Sequence, residues 1–127
     1  MDLLLDTHAA LWWATDPSQL STAATTAIGD TTNVVWFSAA SAWELAIKVR
    51  SGKLVVDVPR LVRRLADDSL RLLGIGMDDA IAAGSLDWSH RDPFDRMIVA
   101  QAKRQDLVVV TRDQTIRQFM PTFTIEA

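Results

Sequence analysis

The chain has 127 residues, which fits one domain, and its hydrophobic content of 49% argues against disorder. It contains no cysteine and only two histidines, His8 and His90, so any metal site must be built from oxygen ligands, which favour Mg²⁺ or Mn²⁺. The formal net charge of −3 excludes a basic arm for nucleic acid, although a bound cation can reverse the charge of an acidic site.

Short apolar segments alternate with longer helical patterns, which is typical of an α/β fold with a parallel sheet. In chain order we predict a strand at 3–5, helices at about 9–14 and 21–28, a strand at 34–37, and a helix to Arg50 capped by Ser38 or Ser41 and ended by Gly52. They are followed by a helix at 60–68, a strand at 70–75, helices at 78–86 and 93–105, a strand at 107–110, a short helix from Asp113 and an edge strand at 122–125.

No repeat, linker or low-complexity segment interrupts this order, so residues 1–127 are predicted to form a single domain. The first residues contain neither a basic leader nor a long apolar stretch. We therefore expect no signal peptide and no membrane span, and a cytoplasmic protein.

Three aspartates are placed where parallel strands end or a helix begins. Asp6 follows the first strand, Asp113 follows the strand at 107–110, and Asp95 lies in the first turn of its helix. Because ligands of open parallel sheets bind beyond the carboxyl ends of the strands, we expect these side chains to meet. Each also has a simpler interpretation as a helix cap or a dipole-compensating acid, with Asp92 as the cap before Pro93.

Glu44 is one of only two glutamates, and it lies in a helix that is apolar over most of its circumference. Carboxylates are rarely buried without a partner. One interpretation is an ion pair with Lys48, one helical turn later. The other is a metal ligand or general base that faces the aspartates, and the two interpretations are compatible.

Several carboxylates close together repel one another unless a divalent cation neutralises them. Such a cation polarises a phosphoryl oxygen, activates water and orients an in-line displacement. In the hydrolysis of RNA, a water activated in this way attacks the phosphodiester, and the 2′-hydroxyl of the ribose is not the nucleophile. The RNA products should therefore carry 5′-phosphate and 3′-hydroxyl ends. The sequence leaves one-metal and two-metal versions open.

Four segments, in this order, resemble the successive motifs of PIN-domain toxins of the VapC type. They are Leu-Leu-Leu-Asp-Thr-His at 3–8, Ser-Ala-Trp-Glu-Leu-Ala-Ile-Lys at 41–48, His-Arg-Asp-Pro-Phe-Asp-Arg at 90–96 and Val-Thr-Arg-Asp at 110–113. The resemblance implies a three-layer sandwich with a short, mostly parallel central sheet flanked by helices. It also implies a Mg²⁺- or Mn²⁺-dependent endoribonuclease, a cognate VapB-like antitoxin and a homodimer.

The resemblance also implies roles for individual residues. The acidic quartet would be Asp6, Glu44, Asp95 and Asp113, with Glu44 binding the cation or positioning its water. Thr7 and Thr111 match the hydroxyl residues that orient neighbouring carboxylates. His8 and His90 match the family pattern too, but we assign neither of them a catalytic role.

Arginines near the predicted site are candidates for contacts with RNA phosphates, although solvated surface is the alternative. They are Arg91, Arg96 and Arg112. A second basic group forms either an RNA contact or a solvated face. It consists of Arg60, Arg63 and Arg64, which have helical spacing, and of Arg71.

The chain has five tryptophans and no tyrosine. Trp36 and Trp43 are predicted to pack in the core. Trp12 and Trp13 are adjacent on a predicted helix and point in different directions, so we expect one to be exposed. This pair is predicted to form part of an interface with an antitoxin segment or a second copy.

Three other classes of protein are alternatives. A receiver-like phosphoacceptor domain gathers aspartates at strand ends but requires a lysine after a late strand, and no lysine follows Lys103. A phosphatase of the haloacid dehalogenase type would need a second aspartate at position 8, where His8 stands. A catalytically inactive PIN-fold binding module would not need all four acids.

Overall fold

The computed structural model describes all residues, 1–127, as five strands, seven α-helices and one 3₁₀ helix at Pro17–Gln19. The strands are β1 (Asp2–Leu5), β2 (Val34–Ser38), β3 (Arg71–Leu73), β4 (Val108–Thr111) and β5 (Thr124–Glu126). The helices are α1 (Thr7–Thr15), α2 (Thr22–Gly29), α3 (Ala39–Arg50), α4 (Val58–Asp67), α5 (Met77–Ser85), α6 (Pro93–Gln105) and α7 (Gln114–Phe119). None of these helices combines the length and the apolar character needed to cross a membrane.

The strands form one sheet in the order β3-β2-β1-β4-β5, and every pair of neighbours is parallel. The predicted mostly parallel sheet is therefore entirely parallel, because the edge strand β5 also runs in the common direction. β1 lies at the centre, and its three leucines are fully buried. Since all strands share one direction, the residues that follow β1, β2 and β4 lie along the same edge of the sheet.

Helices cover both faces of the sheet, which confirms the predicted three-layer sandwich. Leu3 and Leu5 belong to a buried cluster with residues of α1, α2, α3 and α4. Leu4 points to the opposite face and packs with Ile98 of α6 and Ile116 of α7. Successive strand residues alternate between faces, so an apolar run of this kind belongs in a sheet that is covered on both sides.

Local capping chemistry explains where several helices begin. Helix α1 begins at Thr7, two residues earlier than predicted, because the Asp6 side chain is the cap and accepts a hydrogen bond from the Ala9 N–H at 2.8 Å. Ser38, one of the two predicted caps of α3, accepts from the Ala40 N–H at 3.1 Å. Helix α4 begins before the predicted position because the carboxylate of Asp57 caps it.

Two strands differ from their predicted bounds. β3 is limited to Arg71–Leu73, and β5 lies at Thr124–Glu126, two residues beyond the predicted start. Both are edge strands with a single neighbour, so their bounds depend on pairing with β2 and β4 as well as on the local sequence.

The prediction that Trp43 packs in the core is wrong. Its side chain lies on the outer side of α3, 59% exposed, with its ring edge-on to Phe94 at 5.1 Å. Trp36 is half-buried against the cluster around Leu4. Trp12 and Trp13 are both half-buried, so the structure does not expose either ring of that pair fully.

A buried polar network joins α5 to α6. The Asp79 carboxylate, only 4% exposed, accepts hydrogen bonds from the Gly76 N–H at 2.9 Å and from the Arg104 guanidinium at 2.5 Å. Gln101 is fully buried and bonds to Gly74 and Ser38. Burial acts to raise the pKa of Asp79, but the hydrogen bonds from Gly76, Arg104 and Gln101 outweigh burial, and the pKa lies below its ordinary value.

We expect Asp79→Asn to lower the free energy of unfolding by about 1–3 kcal/mol at neutral pH, because the Arg104 guanidinium loses its buried ionised partner and keeps only the exposed Asp78 at 3.6 Å. The lowered pKa means that the ionised carboxylate stabilises the fold above the pKa of the unfolded state. This stabilisation is lost as the pH falls through the folded pKa. Urea denaturation of both proteins at neutral and acidic pH measures the difference. A difference that persisted unchanged into strong acid would contradict the assignment.

Candidate active site

Side chains from four segments line one cavity of about 370 Å³ at the edge where β1, β2 and β4 end. All four acids predicted from the sequence contribute to it, together with Asp92. The full lining is Asp6, Thr7, His8, Trp12, Glu44, Asp92, Asp95, Ile98, Arg112 and Asp113. The topology thus brings together carboxylates that are separated by up to about a hundred residues of chain.

Asp6 is held directly at the end of the central strand. Its Oδ1 accepts from the Ala9 N–H, and its Oδ2 accepts from the Thr111 hydroxyl at the end of β4. Burial raises the pKa of the Asp6 carboxyl, and the negative charge of Asp113 adds to the increase, while the two hydrogen bonds oppose it. The two hydrogen bonds therefore fix the carboxylate in position.

Two threonine hydroxyls, both predicted to orient carboxylates, bond to acids of the cavity. Thr111 donates to Asp6, and its Oγ1 accepts from the Asp113 N–H at 3.0 Å, so it links the ends of β1 and β4. Thr7 donates to Glu44 Oε1 at 2.5 Å. Both threonines are buried.

Glu44 reaches the cavity from α3 and also forms the ion pair considered from the sequence. Its Oε2 lies 3.5 Å from the Lys48 Nζ, one helical turn later. Thr7 donates to the other carboxylate oxygen, so Glu44 forms the predicted ion pair and also lines the cavity.

Asp95 lies in the first turn of α6 and is held by a residue that sequence reasoning left without a role. His90 Nε2 is 2.7 Å from Asp95 Oδ2. Burial raises the pKa of Asp95 to about 6, and the charges of Asp92 and Asp113 add to the increase, although the hydrogen bond from His90 lowers it. Negative charge is thus concentrated around this side chain.

Asp92 and Asp113 are helix caps, as their simpler interpretations predicted. Asp92 Oδ1 accepts from the N–H groups of Phe94 and Asp95 at the start of α6. Asp113 Oδ1 accepts from the Ile116 N–H at 3.0 Å at the start of α7. Capping leaves Asp113 in the lining of the cavity, so the cap does not exclude a further role.

The three arginines proposed as RNA contacts differ in their burial and in their hydrogen bonds. Arg96 is half-buried, and all five of its N–H groups donate to backbone carbonyls, so its assignment as an RNA contact does not fit the structure. Arg112 lines the cavity, with its guanidinium 4.5 Å from the centre of the Trp12 ring and bonded to the Ala127 carbonyl. Arg91 is exposed.

The donor set of the cavity suits a hard divalent cation, because it offers carboxylate oxygens whose charges are only partly balanced. The structure does not, however, bring three acidic or imidazole side chains into a ready-made set of ligands. Asp6, Glu44, Asp95 and Asp113 are each bonded to their own protein partner instead. The chemistry of the residues therefore fits a cation, although the side chains do not form a preformed set of ligands.

The sequence did not predict the contacts of His90 and Arg96. The available signal was the spacing of His90 and Asp95 on either side of Pro93, since a chain reversal before the helix can bring an imidazole back over its first turn. No local pattern shows that the Arg96 side chain turns back to carbonyls as far away as Ala83.

Comparisons with known proteins agree with this fold. A family model described as the PIN domain matches residues 3–119. Ribonuclease VapC22 of Mycobacterium tuberculosis is 35% identical over 118 residues, which cover 91% of this chain and 89% of that protein.

Two solved structures share the fold at low sequence identity. VapBC2 from Rickettsia felis, bound to a DNA fragment from its promoter, has a TM-score of 0.65 and 14% identity, with coverage of 95% of this chain and 92% of the other. Mycobacterium tuberculosis VapC20, described as a sarcin-ricin loop cleaving toxin, has a TM-score of 0.59 and 18% identity, with coverage of 98% of each chain.

Proposed function

The chain belongs to the PIN-domain family, and we propose that it is a divalent-metal-dependent endoribonuclease, the toxin of a toxin–antitoxin pair. The observation that carries the proposal is the convergence of Asp6, Glu44, Asp95 and Asp113 on one cavity at the carboxyl edge of the sheet. The relative named as a ribonuclease supports the reaction class.

In this proposal the four acids hold Mg²⁺ or Mn²⁺. When bound, such a cation supplies Lewis-acid activation of the phosphodiester and of water. Thr111 holds Asp6, and Thr7 with Lys48 holds Glu44, which leaves Glu44 placed to orient water or to bind the cation. Attack by water breaks the bond from phosphorus to the 3′-oxygen, so a 5′-phosphate and a 3′-hydroxyl remain.

We propose RNA as substrate, with Arg112 in the cavity lining and the exposed Arg91 as candidate phosphate contacts. VapC20, described as a sarcin-ricin loop cleaving toxin, supports this substrate class. A VapB-like antitoxin is the proposed protein partner, supported by the VapBC2 complex. We also propose a homodimer, and the half-buried Trp12–Trp13 pair remains a predicted interface.

The proposal predicts cleavage of structured RNA by the purified protein in Mg²⁺ or Mn²⁺, and none in EDTA. Asp6→Asn should also be inactive, because the acid at the end of the central strand is lost. Gel analysis of end-labelled RNA detects the cuts, and ligation of the products identifies their 5′-phosphate and 3′-hydroxyl ends. Asp87→Asn, a matched change at an exposed acid outside the cavity, should cleave as the wild type does.

Other outcomes would contradict the proposal. Cleavage that survives Asp6→Asn would indicate a different site or a contaminating nuclease. Binding to an antitoxin without any cleavage would favour the inactive PIN-fold module. Labelling of Asp6 by a phosphodonor would favour the receiver-like alternative.

A further inference from the structure

His90 lies between an aromatic ring and an acid of the cavity. Its Nε2 is 2.7 Å from Asp95 Oδ2, and the centre of its imidazole is 4.8 Å from that of Trp88. Trp88 in turn stacks on Phe119 of α7, with ring centres 4.5 Å apart and planes 14° from parallel. The imidazole therefore contacts both an aromatic ring and the carboxylate.

Arg96 fixes the backbone that carries this imidazole. It is on α6, one residue after Asp95, and its guanidinium turns back to the segment that precedes the helix. It donates to the carbonyls of Trp88 at 2.7 Å and His90 at 2.9 Å. Its other N–H groups bond to carbonyls further back, at Ala83, Gly84 and Leu86. An arginine has five donors in a rigid plane, so it can hold several carbonyls in one arrangement.

The two carboxylate oxygens of Asp95 differ in their hydrogen bonding. Oδ2 is bonded to His90, whereas Oδ1 accepts no hydrogen bond from the protein. The Asp95 N–H is itself held by Asp92 at 3.1 Å. The backbone and one carboxylate oxygen are thus fixed, which restricts where the second oxygen can lie.

We propose that His90 is a positioning residue: its Nε2–H holds Asp95 Oδ2 so that Oδ1 is presented to a divalent cation. This inference rests on the proposed function, because it assigns the partner of a proposed ligand. A hydrogen-bond donor behind a ligating carboxylate sets the orientation of the ligand, and its loss typically costs about 10- to 100-fold in metal affinity. His8, although it also lines the cavity, makes no such bond and packs against Trp12 at 5.6 Å.

Isothermal titration calorimetry of the protein with Mn²⁺, in the absence of RNA, measures the affinity for the cation and tests the inference. Three variants separate the donor from the bulk of the side chain. His90→Leu removes the donor, His90→Asn keeps an amide that is too short to reach Asp95, and His90→Gln places an amide N–H at nearly the reach of Nε2. Ser89→Ala is the matched control, because Ser89 is exposed in the same segment.

We expect Mn²⁺ affinity to fall about 10- to 100-fold in His90→Leu and His90→Asn, and to stay close to the wild-type value in His90→Gln and Ser89→Ala. Thermal unfolding in EDTA shows whether each variant is folded. Unchanged affinity in both His90→Leu and His90→Asn would overturn the inference, and so would an equal loss in all three His90 variants. A wild-type protein that binds no Mn²⁺ would instead refute the metal site of the proposed function.

Discussion

Asp95→Asn is expected to abolish RNA cleavage and at the same time to stabilise the metal-free protein near neutral pH. Cleavage should fall at least about a hundredfold, because an amide cannot replace a carboxylate that balances the charge of a cation. The fold should survive, since the amide oxygen can still accept the hydrogen bond from His90. Asp95→Asn would thus remove the proposed role of the carboxylate in cleavage and keep its hydrogen bond with His90.

The gain in stability follows from the direction of the pKa shift. Folding raises the pKa of Asp95 from 3.8 to about 6, so keeping this carboxyl ionised costs folding free energy. The cost is absent below about pH 4, where both states are protonated, and is complete above about pH 6. With the side chain 23% exposed, we expect a cost of about 2 kcal/mol.

Urea denaturation in EDTA across this pH range measures the effect, with Asp87→Asn as a control for the same chemical change at an exposed site. The stability difference between Asp95→Asn and the wild type should appear as the pH rises from about 4 to 6. If Asp95→Asn were less stable than the wild type at neutral pH, ionisation of the Asp95 carboxyl would not cost folding free energy, and the prediction would be wrong. Retained cleavage would remove Asp95 from the proposed site.

Arg96→Leu is expected to lower the free energy of unfolding by about 3–5 kcal/mol. The arginine supplies a donor to each of five carbonyls in the segment before α6, and leucine supplies none. Carbonyls that are partly buried would then lack partners, and the segment would lose its attachment to α6. Arg96→Lys should recover only part of the loss, because an ammonium group has three donors.

Urea denaturation measures this effect, and Arg91→Leu provides the comparison. Arg91 is exposed in the same segment, so its replacement should change stability by no more than about 0.5 kcal/mol. If both substitutions changed the free energy of unfolding by the same small amount, water would replace the Arg96 guanidinium at the carbonyls without loss of stability. Such a result would also weaken the case for a fixed His90.

Much of the fold follows from local patterns that can be read along the chain. Three consecutive leucines before Asp6 predict a strand covered on both faces, and the structure buries all three completely. Asp92 before Pro93 predicts the start of α6 correctly, because capping depends on atoms within a few residues. Trp43 was misplaced because a mostly apolar helix does not show which of its sides meets the sheet.

Other features depend on residues far apart in the chain. The bond from Thr111 to Asp6 spans 105 positions, and the bond between Ser38 and Gln101 spans 63. No periodicity encodes such pairs. They form only after the parallel strands have brought their carboxyl ends to one edge.

Hydrophobic period and capping act over a few residues, so they predict the α/β class, the order of the elements and three aspartates near strand ends or helix starts. No local pattern predicts that these aspartates share one cavity with Glu44, that His90 is bonded to Asp95, or that Arg96 donates to backbone carbonyls. These contacts depend on packing, because the direction of a long side chain is set by the donors and acceptors that packing brings within its reach.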